Sequence, residues 1–206
     1  MLVKCLPVGQ LETNCYIVTN EKTLECVVID PGDESNTIMD YLEDNSLSCR
    51  AILLTHAHWD HTGALIPVME QTGAPVYLNR LDTAAAPAGT AGPGFQAPAG
   101  VHYYEKDGQI LHLAGLDFTV LYTPGHTPGG TTLVCEDAIF CGDTLFRGSC
   151  GRTDLPGGDM MQELRSLKRL CELPGEYDVY PGHMDASTLE RERNFNYYCR
   201  QAMHMN

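Results

Sequence analysis

His56-Ala57-His58-Trp59-Asp60-His61 places four side chains of metal-binding type within six residues. In an extended chain, residues i and i+2 project to one side, so His56 and His58 can approach one ion together. Where the chain then turns towards a helix, Asp60 and His61 can swing towards a second ion. One such cluster does not fill two coordination shells, but three more residues recur in a common setting. His126 follows Thr123-Pro124-Gly125, Asp143 follows Cys141-Gly142, and His183 follows Pro181-Gly182. Each is the end of a strand-like run, then a glycine, then a ligand type. Glycine lets the backbone turn sharply, and strand ends of layered α/β proteins are where clefts form. His102, His112 and His204 lack this setting and read as ordinary histidines. Imidazole mixed with carboxylate suits zinc first, with iron or manganese also compatible. Two divalent ions side by side would share a water and lower its pKa to about 7. The chemistry to expect is hydrolysis without a serine or cysteine nucleophile, with Asp60 both ligating and orienting the water.

The elements that must position these residues follow from the apolar patterning. Residues 14–19 and 26–30 read as strands around a polar turn, and Asp30-Pro31-Gly32 stops the second. Residues 34–44 read as a helix with Ile38, Met39, Tyr41 and Leu42 as its apolar set. Residues 51–54 form a wholly apolar strand, suited to a sheet covered on both faces, and run directly into the histidine cluster. A helix-like stretch to about residue 71 and a strand at 75–78 follow. Residues 84–100, rich in Ala, Pro and Gly, read as a loop, either a mobile flap or a plain surface insertion. Hairpins are expected at 109–113 with 116–122 and at 131–135 with 138–141. Helices are expected at 160–171 and 188–203, with a short strand at 178–180 between them. Strands then helices, twice over, imply two packed sheets with helices outside. No linker interrupts the pattern, so one domain over residues 1–206 is expected.

Composition narrows the partners. The 206 residues include 43% apolar and 19% charged types, ordinary for a globular protein. With 13 basic against 27 acidic residues the net charge is −14, which disfavours nucleic acid and anionic membrane surfaces. A small-molecule substrate is expected instead. The nine cysteines are scattered, without a Cys-x-x-Cys pair, and read as small buried hydrophobes of a reducing cytosol. The N-terminus is too short and broken for a signal peptide, and no 18-residue apolar window occurs, so a soluble, cytoplasmic protein is expected.

These motifs resemble the metallo-β-lactamase superfamily, and more narrowly the hydroxyacylglutathione hydrolases (glyoxalase II) and their short relatives. The resemblance runs from Asn14-Cys15-Tyr16 through Asp30-Pro31-Gly32 to Pro181-Gly182-His183. It implies an αββα sandwich, two mixed sheets with helices on the outer faces and the site at one edge. It implies that His56, His58 and His126 hold one ion, that Asp60, His61 and His183 hold the other, and that Asp143 bridges them. It implies a thioesterase for S-D-lactoylglutathione or a related acyl thioester, whose thiolate leaves without a strong general acid. Asp30 and Thr55 are candidates to hold imidazole N–H groups, although Asp30 before Pro-Gly also reads as a turn former. The position of a glutathione-binding basic residue falls on Arg152, which has an alternative as the ion-pair partner of Asp154 or Asp159.

There are departures. The chain runs only about twenty residues past His183, so the helical domain that carries further glutathione contacts is not expected. Aromatic positions near the bridging Asp and the last His are occupied by Asp154 and Asp185. Within the same resemblance, a lactonase or other ester hydrolase needs the same parts, and a persulfide dioxygenase would use a single iron. A β-lactamase is disfavoured by the complete string ending in His61. A non-enzymatic metal module would close its coordination shells.

Overall fold

The computed structural model describes residues 1–84, 86 and 92–205. Two six-stranded sheets pack face to face. The first runs in sequence order: β1 (Leu2–Val8), β2 (Thr13–Asn20), β3 (Glu25–Ile29), β4 (Ser48–Leu53), β5 (Val76–Leu78) and β6 (His102–Tyr103). Its first three strands are antiparallel, and β3 to β6 are parallel. The second half of the chain supplies β7 (Ile110–Leu113), β8 (Leu116–Tyr122), β9 (Thr131–Cys135), β10 (Ala138–Gly142), the ribbon β11 (Leu145–Phe146) with β12 (Ser149–Cys150), then β13 (Asp178–Pro181) and β14 (Ser187–Thr188). The second sheet has the order β14-β13-β10-β9-β8-β7, with β10 and β13 parallel. The expected fold, an αββα sandwich of two mixed sheets, is the one observed.

Side chains alternate across a strand, so a strand covered on both faces must be apolar throughout. Tyr16, Val18, Val27, Ile29 and Leu53 point between the sheets and meet Phe118, Val120, Leu133 and Phe140. Their neighbours Ile17, Val28 and Ile52 point outward, against Ile38 and Leu42 of α1 (Ser35–Asp44) and Leu65 and Val68. The last two belong to α3 (Leu65–Thr72), which follows the short α2 (Trp59–Thr62). On the other outer face, Ile139 and Val179 pack under Leu164, Leu167 and Leu170 of α4 (Met160–Cys171).

Three expectations need correction. The helix expected over 188–203 is two helices, α5 (Leu189–Phe195) and α6 (Tyr197–Met203). Asn196 between them is extended, and its Oδ1 accepts the Tyr198 and Cys199 N–H groups as an N-cap. Its Nδ2 donates to the Phe146 and Ser149 carbonyls, contacts that local periodicity does not encode. The helix-like stretch after the histidine cluster is likewise divided into α2 and α3. β1 goes beyond the expected strands. It forms the sheet edge, where Pro7 is tolerated because one side of the strand has no ladder to donate to. The proposed flap at 84–100 lies partly outside the described residues. Within it, Ala84 N–H donates to the Phe95 carbonyl, and Gly92 and Pro93 reach the cavity described next.

Candidate metal centre

The C-terminal ends of β4, β8, β10 and β13 converge on one edge of the sandwich. Backbone bonds tie these ends together, within the second sheet and between the two sheets. Asn14 N–H donates to the Gly182 carbonyl at 2.8 Å, Gly182 N–H to the Gly142 carbonyl at 2.8 Å, and Thr131 N–H to the Thr55 carbonyl at 2.9 Å. The glycines that precede the candidate ligands matter for space as much as for turning. Gly142 has φ +48°, and a Cβ there would collide with the Thr55 side chain. A Cβ on Gly182 would collide with the Asp143 carboxylate and crowd the His61 ring.

All seven expected residues meet here. His56, His58 and His126 present ligand atoms within 4.8 Å of one another, and so do Asp60, His61 and His183. His58 Nδ1 lies 2.9 Å from His126 Nε2. His183 Nε2 lies 3.2 Å from Asp60 Oδ2, and His61 Nε2 lies 3.6 Å from the same oxygen. Asp143 stands between the groups. Its Oδ2 is 3.5 Å from both His126 Nε2 and His183 Nε2, and its Oδ1 is 3.4 Å from His61 Nε2.

The outward nitrogens are held from behind. His61 Nδ1 bonds Asp30 Oδ2 at 2.9 Å, His126 Nδ1 the Arg152 carbonyl at 2.7 Å, and His183 Nδ1 the Leu11 carbonyl at 3.1 Å. His56 Nδ1 lies 3.1 Å from Thr55 Oγ1, which itself donates to Asp30 Oδ2 at 2.6 Å. Asp30 also accepts the Thr55 N–H at 2.8 Å. Both readings of Asp30 therefore hold: it turns the chain with φ +50°, and it anchors His61 and Thr55.

Three inward atoms, His56 Nε2, His61 Nε2 and Asp143 Oδ1, are buried without a hydrogen-bond partner among the described residues. Buried polar atoms are normally paired. Orphaned nitrogens and carboxylate oxygens that face one another fit divalent cations, so the residues pass the test for a metal centre. The protonation states divide between the two groups: burial opposes charge on His61 and His183, but the facing carboxylates outweigh it and raise both, so bound cations would take the place of those protons. Burial, then the neighbouring histidines, lowers His56 well below the usual histidine range, and burial followed by His126 lowers His58 to about 4. Burial opposes ionisation of Asp143, but the charge and hydrogen bond of His61 outweigh it and hold the carboxyl low. Neutral imidazole and ionised carboxylate are the ligating forms.

A cavity of about 630 Å³ opens over these atoms. Besides the ligands it is lined by Leu11, Trp59, Phe146, Leu155, Pro156 and Met184, with Arg152 at the wall. Arg152 pairs with Asp154 through two bonds of 2.7 and 2.8 Å, whereas Asp159 caps α4 instead. Arg147 pairs with Asp185 at 2.9 Å.

Two buried acids behind the centre are absent from the sequence reading. Glu163 of α4 accepts the His126 N–H at 2.9 Å, and burial pushes its carboxyl up to about 9. A signal existed, since Glu163 sits on the buried stripe with Leu167 and Leu170. Asp82 accepts bonds from two loops, and burial pushes it up to about 6. Nothing in its sequence setting marks it.

A family model described as the Metallo-beta-lactamase superfamily matches residues 8–183. The probable metallo-hydrolase YqgX of Bacillus subtilis is 36% identical over 93% of this chain and 94% of its own. The hydroxyacylglutathione hydrolase GloC of Haemophilus influenzae is 29% identical over 95% of this chain and 97% of its own. Among solved structures, TTHA1623 in a di-iron-bound form matches with a TM-score of 0.81 and 40% identity, covering 95% of this chain and all of its own (100%). The B3 metallo-β-lactamase BLEG-1 matches with a TM-score of 0.86 and 33% identity, covering 96% of this chain and 99% of its own.

Proposed function

The chain belongs to the metallo-β-lactamase superfamily, and from that premise we propose that it is a two-metal hydrolase of acyl thioesters, of which S-D-lactoylglutathione is the first to test. The observation that carries this reading is the position of Asp143, whose carboxylate stands between two groups of ligand atoms. Six ligand residues around one carboxylate suit two ions better than the single iron of a dioxygenase. Zinc is the first expectation, and the di-iron-bound relative keeps iron beside it.

His56, His58 and His126 would hold one ion, Asp60, His61 and His183 the other, and Asp143 both. Ions bound there supply Lewis acidity to a carbonyl oxygen and make water a nucleophile near neutral pH. The rest of the task falls to the chain. Thr13 Oγ1 donates to Asp60 Oδ2 at 3.1 Å and, with His183, fixes the carboxylate that would orient the attacking water. Although burial opposes it, the hydrogen bond from His183 and the charge of His61 keep Asp60 ionised, the form that ligates a cation and accepts a hydrogen bond from water. Apolar groups at Leu11, Phe146, Leu155 and Met184 would pack on the substrate and displace bulk water. Arg152 would offer its guanidinium to a substrate carboxylate in competition with Asp154. A thiolate leaves readily, so no acid is needed opposite Asp60.

A second reading, β-lactam hydrolysis, is favoured by the likeness to BLEG-1, despite the complete histidine string that argues against it in the sequence. Elemental analysis beside turnover of S-D-lactoylglutathione, a neutral acyl thioester, a lactone and a β-lactam on one sample separates these readings. Two ions per chain with thioester turnover is the expected result. Asp143→Ala should lose at least one ion and reduce kcat/KM by more than the roughly 10–100-fold typical when a mere partner of a ligand is removed. Retention of both ions and full activity in that variant would overturn the bridging role.

A further inference from the structure

We infer that Asp82 is a positioning residue, which holds the loop of His56 and His58 against the loop of His126 so that the three imidazoles meet around one ion. The inference rests on the metal-centre reading above. Asp82 closes a short 3-10 turn (Arg80–Asp82) and is 1% exposed. Its Oδ2 accepts from Thr127 Oγ1 at 2.8 Å and from the Ala57 N–H at 3.2 Å. Its Oδ1 accepts from the Gly129 N–H at 2.6 Å. Ala57 lies between His56 and His58, and Thr127 follows His126. One rigid carboxylate therefore reaches both loops, which present His58 Nδ1 and His126 Nε2 only 2.9 Å apart. The seat is tight, because a Cβ on Gly129 would collide with this carboxylate.

A buried carboxylate is costly to keep, and all three donors to Asp82 are neutral. The arrangement is explained by acceptor count. Three donors from two loops converge on two oxygens. An amide whose oxygen stayed at the Oδ2 position would still accept from Ala57 and Thr127 but would turn an NH2 group against the Gly129 N–H, so one of the three bonds becomes a clash of donors in the tight seat. The strands beneath are joined independently by the Thr131 to Thr55 backbone bond, so the sandwich does not depend on Asp82.

The test strips zinc from the loaded wild type and from Asp82→Asn with a chelator of known affinity, following each release step. Wild type should release two ions. Asp82→Asn should weaken one step about 10–100-fold and leave the other unchanged. Leu170→Ala, cut into the layer under α4, is the control for plain loss of stability and should leave both steps in place. If Asp82→Asn does not accumulate, Thr127→Val removes one of the three bonds and should weaken the same step severalfold. Unchanged release in these variants, or equal weakening of both steps, overturns the role of Asp82. Fewer than two ions in the wild type would instead overturn the metal-centre reading itself.

Discussion

A histidine has two ring nitrogens, and the choice between them is made here by what stands behind each ring. His56, His61, His126 and His183 engage Nδ1 with a hydroxyl, a carboxylate or a backbone carbonyl, which leaves Nε2 for the shared space. His58 alone turns Nδ1 inward. The i, i+2 spacing made the pairing of His56 with His58 legible, but not this difference, because it depends on partners distant in the chain. The same limit applies to Arg152. Its charge was legible, whereas its bidentate pairing with Asp154 is geometry. Asp154 and Asp185, which stand where the resemblance expects aromatics, each neutralise an arginine near the cavity. A substrate with two carboxylates, such as a glutathione thioester, then meets little free positive charge. Asp154→Ala should raise kcat/KM for S-D-lactoylglutathione relative to a neutral thioester by about two- to fivefold, the scale of an exposed ion pair. The gain should fade as salt screens it. An unchanged ratio at low salt would remove Arg152 from substrate binding.

At the scale of elements, the glycine-ligand steps were legible because each follows an apolar strand, and all of them arrive at one sheet edge. What sequence periodicity did not reveal is where a helix breaks for reasons outside itself. The stretch 188–203 reads as one helix since both halves carry apolar residues at helical spacing. Asn196 interrupts it by capping α6 and by donating to the carbonyls of Phe146 and Ser149, which belong to the ribbon β11–β12. That ribbon follows Asp143 directly, so the break also sets where the Asp143 loop can run. Asn196→Ala removes an N-cap, worth about 0.5–2 kcal/mol. It also leaves a buried carbonyl unpaired, at about 1–3 kcal/mol. Urea unfolding should show a loss of roughly 2–4 kcal/mol. A loss below about 0.5 kcal/mol would mean that the helix runs through and the cap is incidental.

At the scale of the molecule, the candidate centre joins the two halves of the sandwich. His56, His58, Asp60 and His61 follow β4 of the first sheet, whereas His126, Asp143 and His183 follow β8, β10 and β13 of the second. The layer between the sheets is continuous, from Tyr16 and Leu53 on one side to Phe118 and Phe140 on the other. We therefore expect one cooperative unit, with the ions as a clamp at its edge. Binding to the native state alone stabilises it by about 2.7 kcal/mol per site when free ligand is 100 times Kd. Two sites then give about 5 kcal/mol. In a chain of this size each kcal/mol moves Tm by about 2–4 °C, so chelation should lower Tm by roughly 10–20 °C. The transition should stay single, because the bonds from Asn14 to Gly182 and from Gly182 to Gly142 hold the edge without metal. Two separate transitions after chelation would mean that the halves fold independently. An unchanged Tm would mean that no ion links them.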